Sequence, residues 1–176
     1  NLTLNEDSIK GAFSYTEPNF AYSDKSVTTS LESTTTDKEK DYGYKSSLTK
    51  IGIGTRFEQY EDFYFSPFIS ISNESLTTTA NASTNYKKQE GTYFDTLFNY
   101  SLSYDKRNSS YRPTNGFIST FSQELPLYSD SMSLSNGYRF TSYKEFLDDM
   151  IVSLAIYGKT INSITSDKDV RVSKRL

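Results

Sequence analysis

Apolar and polar residues alternate along most of the chain with a period of two. In the clearest run, Ile51, Ile53 and Phe57 share one face while Lys50 and Arg56 share the other. Successive side chains of a strand point to opposite sides, so this pattern predicts strands with one apolar and one polar face. About eight such runs of about ten residues each are present. They fall at 9–17, 26–33, 45–58, 63–72, 94–104, 117–125, 133–146 and 150–161, with the tail of another strand at 1–4.

Turn-forming residues separate the runs. The connections at 34–42 and 73–91 are long and polar, while those at 59–62 and 148–149 are short. The first residues of 73–91 should extend the preceding strand. The most informative connection joins the runs at 94–104 and 117–125. There Pro113 presets φ for a turn, and Gly116 tolerates a left-handed backbone. Asp105 and Arg107 stand at the end of the incoming strand, where they could tie the turn by charged hydrogen bonds.

The composition narrows the function classes. The chain has no cysteine and no histidine, which excludes disulfides, histidine-based catalytic triads and the usual zinc sites. The net charge of −3 gives no indication of a nucleic-acid partner. Only 35% of the residues are hydrophobic, which suits a sheet with a single apolar face better than a soluble core. We therefore predict no catalytic residue, no cofactor and no metal site.

Two all-β architectures fit the alternation. An antiparallel up-and-down transmembrane β-barrel has strands of this length, apolar outside and polar inside, with aromatic residues near the interfaces. A soluble β-sandwich adhesin would turn the same polar face to solvent. The pattern favours the barrel, because aromatic residues cluster around the predicted turns. These residues are Phe57, Tyr60, Phe63, Tyr104 and Phe117.

The turn chemistry also resembles a known family. Asp105-x-Arg107 followed by Pro113-x-x-Gly116 is similar to the strand–turn–strand signature of the bacterial surface-antigen barrels, the family of the outer-membrane protein assembly factor BamA. The stretch at 17–20 is similar to that family's periplasmic turn. The resemblance covers essentially the whole chain. It implies that residues 1–176 are a partial barrel domain, roughly strands four to eleven of a sixteen-stranded barrel, and an internal fragment of a longer protein.

The resemblance implies a function without chemistry. The chain would be the wall of an insertase in the bacterial outer membrane, whose seam opens, templates incoming strands and thins the bilayer. Asp105, Arg107, Pro113 and Gly116 would then be architectural. Expected partners are outer-membrane lipid, unfolded outer-membrane protein clients, and assembly lipoproteins that bind periplasmic domains outside this chain.

A passive porin or secretion pore of the same superfamily is the alternative. In that case charges on the polar face would line the lumen and tune ion selectivity. The candidates are Lys50, Arg56, Arg139 and Lys159.

Three structural expectations follow. The sheet should be an open half-barrel, so that the strands around Ala12 and Leu154 do not pair. An arginine at Gly54, on the polar face, should be tolerated better than one at Ile53. One face, on the lipid side, should carry Ile51, Ile53, Phe65, Ile69, Leu102, Leu154 and Ile156, and the other should carry Lys50, Arg56, Ser70, Ser101 and Lys159.

Overall fold

The structure, a computed structural model, describes residues 1–23, 25–147, 150–165, 170–171 and 174. Strands dominate it: β1 (Leu2–Asn5), β2 (Ser8–Glu17), β3 (Ser26–Lys38), β4 (Tyr44–Tyr60), β5 (Phe63–Thr78), β6 (Gly91–Asp105), β7 (Asn115–Ser129), β8 (Ser133–Leu147) and β9 (Met150–Ser163). A 3-10 turn at Phe20–Tyr22 and a short helix, α1 (Thr84–Lys87), lie in the connections. Within these described ranges, no helix is both long and apolar enough to cross a membrane.

The strands form one antiparallel sheet in which each strand pairs with its neighbours in sequence, in the order β1 to β9. Ala12 pairs with Glu32 in β3, and Leu154 pairs with Ser142 in β8. In the part of the chain that the structure describes, no ladder joins β9 to β1 or β2. The predicted open up-and-down half-barrel is therefore confirmed, and the sandwich alternative is wrong because there is no second sheet among these strands.

The strands are longer than predicted. Nine are present among the described residues, and they correspond to the eight predicted runs and the strand tail predicted before them. The predicted strand tail at 1–4 is β1, and β4 and β5 contain 17 and 16 residues. The start of the predicted loop at 34–42 continues a ladder instead, since Thr34 pairs with Leu48. The predicted extension of the strand into 73–91 is confirmed, since Asn73 pairs with Thr49. Alternation vanishes where both faces are polar, but the backbone hydrogen bonds do not depend on it. The predicted turn at 148–149 lies outside the described residues.

The register confirms which residues share each face. Ile53 lies beside Ile69, which lies beside Phe98, and the parity of the later ladders places Ile156 on the same face. On the opposite face, Lys50 lies beside Ser72. All twelve residues assigned to faces from the sequence fall as predicted.

The sheet curves toward the polar face. A groove of about 610 Å³ on this face is lined both by Lys50 of β4 and by Lys159 of β9, which the curvature of the intervening strands brings together. Ser70 on this face is only 1% exposed, whereas Ile53 on the other is 56% exposed. We call the polar face the inner face and the apolar face the outer face. The connections that follow β2, β4, β6 and β8 define the turn end of the sheet, and the others define the loop end.

The outer face carries a band of apolar residues of limited height. In β5 the outward positions are apolar from Phe63 to Ile71 and polar from Asn73 onwards. At about 3.3 Å per residue and a tilt of about 40°, this run is roughly 20 Å tall, close to the ~25 Å apolar band of outer-membrane barrels. The polar loop ends of the strands therefore extend past the band.

Gly54 on the inner face is not an open position. A Cβ there would lie 2.8 Å from the carbonyl oxygen of Pro67 and 2.5 Å from Cδ2 of Phe68. An arginine at Gly54 would therefore have to displace the ring of Phe68, which already occupies the space above the glycine. That it is milder than an arginine at Ile53 stays a prediction. Alternation predicts the face of a residue but not whether that face is filled.

Candidate functional site

The turn between β6 and β7 begins with a bidentate ion pair. Arg107 Nε donates to Asp105 Oδ1 at 2.8 Å, and Nη2 donates to Oδ2 at 2.6 Å. The backbone N–H of Arg107 also donates to Oδ1, at 3.2 Å. The hydrogen bond to Asp105 raises the pKa of the Arg107 guanidinium above its ordinary value. The pair is half-buried, and its fork geometry fixes where the chain leaves β6.

Asn108 closes the same turn, and sequence reasoning did not single it out. Its Oδ1 accepts the N–H groups of Thr114 at 3.0 Å and Asn115 at 3.1 Å, while Nδ2 donates to Thr114 Oγ1 at 2.7 Å. An asparagine side chain that bonds nearby backbone is a common turn device, so its place within the predicted connection between residues 104 and 117 was the available signal.

The other two members of the sequence motif end the turn. Pro113 is half-buried in the irregular stretch before β7. Gly116 has φ of 96°, and a Cβ there would lie 2.1 Å from the carbonyl oxygen of Lys106. A hydrogen bond at the following residue holds the two backbone segments together, because Lys106 N–H donates to the carbonyl of Phe117 at 2.8 Å. Glycine is required here for both conformation and space.

Two neighbouring turns are joined at the turn end. Lys106 Nζ lies 2.5 Å from Asp62 Oδ2, and the backbone N–H of Asp105 donates to the Asp62 carbonyl at 2.9 Å. Asp62 itself has φ of 62°, in the left-handed region that aspartate tolerates. The hydrogen bond to Asp62 raises the pKa of the Lys106 ammonium. Asp105 and Lys106 thus link the β6–β7 turn to Asp62 in the β4–β5 turn.

The four candidate lumen charges lie on the inner face but do not form one cluster. Lys50 and Lys159 line the 610 Å³ groove. The guanidinium of Arg56 lies 4.6 Å from the ring of Tyr64. Arg139 is placed in the same way, 5.5 Å from the ring of Tyr157. Stacking on aromatic faces holds both arginines close to the wall.

The family model for the Omp85 superfamily domain matches residues 1–175. The chain belongs to the Omp85 superfamily. No curated protein sequence matches it.

A solved structure shares the fold of this Omp85 domain. It is the crystal structure of BamA from Haemophilus ducreyi lacking POTRA domains 1–3, and the TM-score is 0.75 at 20% sequence identity. The alignment covers 93% of this chain and 35% of the BamA chain. The protein therefore has a BamA-like barrel wall and spans about a third of that relative.

The structure of the Omp85 domain also contains an ion cluster that the sequence did not predict. Arg171, which follows β9, is buried against Glu74 of β5 and Asp95 of β6. Both carboxylates occupy inner-face positions near the loop end. From the sequence, the alternation in each strand could assign Glu74 and Asp95 to the inner face. It could not indicate which cationic side chain binds them. Among the described residues, no group of histidine, cysteine and acidic side chains could hold a metal ion.

Proposed function

We propose that this chain is a barrel-wall part of an outer-membrane protein insertase, which folds and inserts β-barrel proteins. The supporting observation is the Omp85 match over residues 1–175 together with the BamA-like fold. The chain would correspond to nine consecutive strands of a sixteen-stranded barrel in the bacterial outer membrane, one more than the predicted span of strands four to eleven.

The wall has the features that this role needs. The outer face offers an apolar band to lipid, and the inner face is polar, as in other transmembrane barrels. In the complete barrel, β1 and β9 would pair with further strands, and insertion would proceed at a seam beyond them by strand addition and local bilayer thinning. Omp85 barrels are a non-enzymatic family, and we propose that this wall performs no catalysis. Clients and assembly lipoproteins would bind mainly outside this segment.

Asp105, Arg107, Pro113 and Gly116 have an architectural role in this proposal. The bidentate pair and the glycine fix the β6–β7 turn, and Lys106 ties it to the turn that contains Asp62. A rigid turn end would hold the register of the wall while the seam moves.

The test uses the full-length protein reconstituted into phosphatidylethanolamine–phosphatidylglycerol liposomes. A urea-denatured eight-stranded barrel is added as the client, and its folding is followed by its heat-dependent gel shift. The insertase proposal expects folding several-fold faster than in empty liposomes or in liposomes that carry a trimeric porin. Equal rates in all three would contradict it.

A passive pore is the second candidate, and the groove lined by Lys50 and Lys159 favours it. In such a pore Lys50, Arg56, Arg139 and Lys159 would set ion selectivity. Planar-bilayer recordings of the full-length protein distinguish the two candidates. A steady open channel whose anion preference falls in the K50E/K159E variant, without client folding, supports the pore. Client folding without a steady channel supports the insertase.

A further inference from the structure

A cavity of about 490 Å³ lies on the inner face, where β7, β8 and β9 meet the β6–β7 turn. Its lining includes two arginines, Arg107 and Arg139, together with the hydroxyl groups of Thr141 and Tyr143. Among the described residues that line it, none is acidic. The volume lies within the range of small-molecule sites, and the cationic and hydroxyl groups indicate the class of ligand.

The two arginines of this cavity differ in charge balance. Arg107 donates through Nε and Nη2 to Asp105, so this pair is neutral as a unit. Arg139 forms no ion pair with any carboxylate in the described part of the chain. The Arg139 side chain is exposed, and its guanidinium lies 5.5 Å from the ring centre of Tyr157. The cavity therefore contains one positive charge that an anion would balance.

The strand register fixes the place of Arg139. It lies opposite Thr120 of β7 and opposite Tyr157 of β9. Thr120 Oγ1 shares a hydrogen bond of 2.9 Å with Ser103 Oγ of β6, so its own position is set by the wall. An arginine that stacks on a ring through its face keeps the N–H groups along its edge for a phosphate or a carboxylate. Arg139 is thus held at the wall with its donors available.

Small residues form part of the cavity wall and leave room for a ligand. Ser122 and Gly137 line the cavity and lie opposite each other in β7 and β8. A Cβ on Gly137 would lie only 2.6 Å from Ser122 Oγ, so the two residues are closely packed. Ile118 and the ring of Tyr143 add apolar surface to the same lining. A ligand with an organic body therefore gains contacts that a bare inorganic ion does not make.

We propose that Arg139, Thr141 and Tyr143 bind the phosphate group of a small organic solute in the lumen. A phosphate group has three terminal oxygens, which suits a guanidinium fork and two hydroxyl groups around one cavity. The pair of Arg107 and Asp105 bounds the site, and the apolar part of the lining contacts the organic body. The inner face is turned away from lipid, so the ligand is a solute and not a lipid headgroup. The site depends on neither the insertase proposal nor the pore proposal.

The test is isothermal titration calorimetry on the full-length protein in detergent micelles. Phenyl phosphate is the probe, and inorganic phosphate and benzyl alcohol are the comparison ligands. We expect phenyl phosphate to bind several-fold more tightly than inorganic phosphate, and benzyl alcohol not to bind. R139Q should weaken the binding of phenyl phosphate by about tenfold or more, because charge-assisted hydrogen bonds are lost. R139K keeps the charge but loses the fork, so its affinity should lie in between.

K10Q is the matched control, because it removes an inner-face cation that does not line the cavity, from the pair Lys10–Glu32. It should bind phenyl phosphate as wild type does. S122F fills the cavity and should abolish binding. Folding of each variant is checked by heat-dependent gel shift, and if S122F does not fold, R139Q and R139K decide.

Wild-type affinity in a folded R139Q would overturn the site, as would an equal loss of affinity in K10Q. Binding of benzyl alcohol as tight as that of phenyl phosphate would also overturn it, because the charge would then play no part. Equal affinities for inorganic phosphate and phenyl phosphate would overturn the assignment of an organic ligand.

Discussion

The ring of Phe68 occupies the space that a side chain at Gly52 would fill. A Cβ on Gly52 would lie 2.3 Å from Phe68 Cζ and 2.5 Å from Cε1. Both residues are on the inner face of adjacent strands, in neighbouring register positions. An aromatic ring that covers strand glycines restores the packing that glycine lacks, and the glycines in turn let the ring lie close to the backbone.

This contact predicts that Gly52→Ala destabilises the barrel by about 1–3 kcal/mol through overpacking. Reversible urea titration of the full-length protein in liposomes measures the loss. Gly158→Ala is the matched control, because a Cβ there meets nothing within 4 Å. Adding Phe68→Ala to Gly52→Ala should cost less than the sum of the two single changes. Strict additivity would show that the ring and the glycine are not coupled.

Ile53 on the outer face is 56% exposed and belongs to the apolar band. We expect Ile53→Arg to cost roughly 2–4 kcal/mol if the residue lies near the bilayer midplane, because the guanidinium would enter hydrocarbon. The same titration measures it. Ser30→Arg provides the comparison, since Ser30 pairs with Gly52 on the inner face at nearly the same height. Similar costs for both variants would contradict the assignment of the faces.

Gly116 and Gly91 both have φ in the left-handed half, at 96° and 149°. They differ in space, because a Cβ on Gly116 would lie 2.1 Å from Lys106 O, whereas the nearest atom to one on Gly91 is 4.0 Å away. Gly116→Ala should therefore lower stability clearly more than Gly91→Ala, which carries the conformational strain alone. Urea titration of both variants is the measurement. The reverse order would exclude a tight-turn role for Gly116.

The tie between Lys106 and Asp62 predicts an alkaline pH dependence at the turn end. The pKa of Lys106 is raised in the folded protein by its hydrogen bond to Asp62. The contribution of this pair is therefore complete below the unfolded lysine pKa of about 10.4 and is lost as pH rises through the raised value. Cleavage of the 106–114 turn by a protease active at high pH should increase over that window in wild type. In K106Q it should be high at every pH, and a wild-type response in this variant would rule out the tie.

The alternation of apolar and polar residues is enough to predict which side chains share a face. Ile53 and Lys50 are an odd number of residues apart. Because side chains alternate between the two sides of a strand, these two residues lie on opposite faces in any register. The β6–β7 turn was also readable, because Pro113 and Gly116 act through their own backbone conformations. Both kinds of information are local, and an up-and-down meander satisfies them whether it stays open or closes into a barrel. The prediction of an open sheet depended on the family resemblance.

Other features of the fold depend on contacts between residues that are distant in sequence, and these were not predictable. The extension of β3 to Lys38 is invisible to alternation, because Ser and Thr occupy both faces there and only pairing with β4 extends the strand. The filling of the space above Gly52 and Gly54 depends on the rotamer of Phe68 in the next strand. Burial of Arg171 against Glu74 joins residues that are 97 positions apart in sequence. Such contacts are set by curvature and by the match of shape and charge, which no single strand encodes.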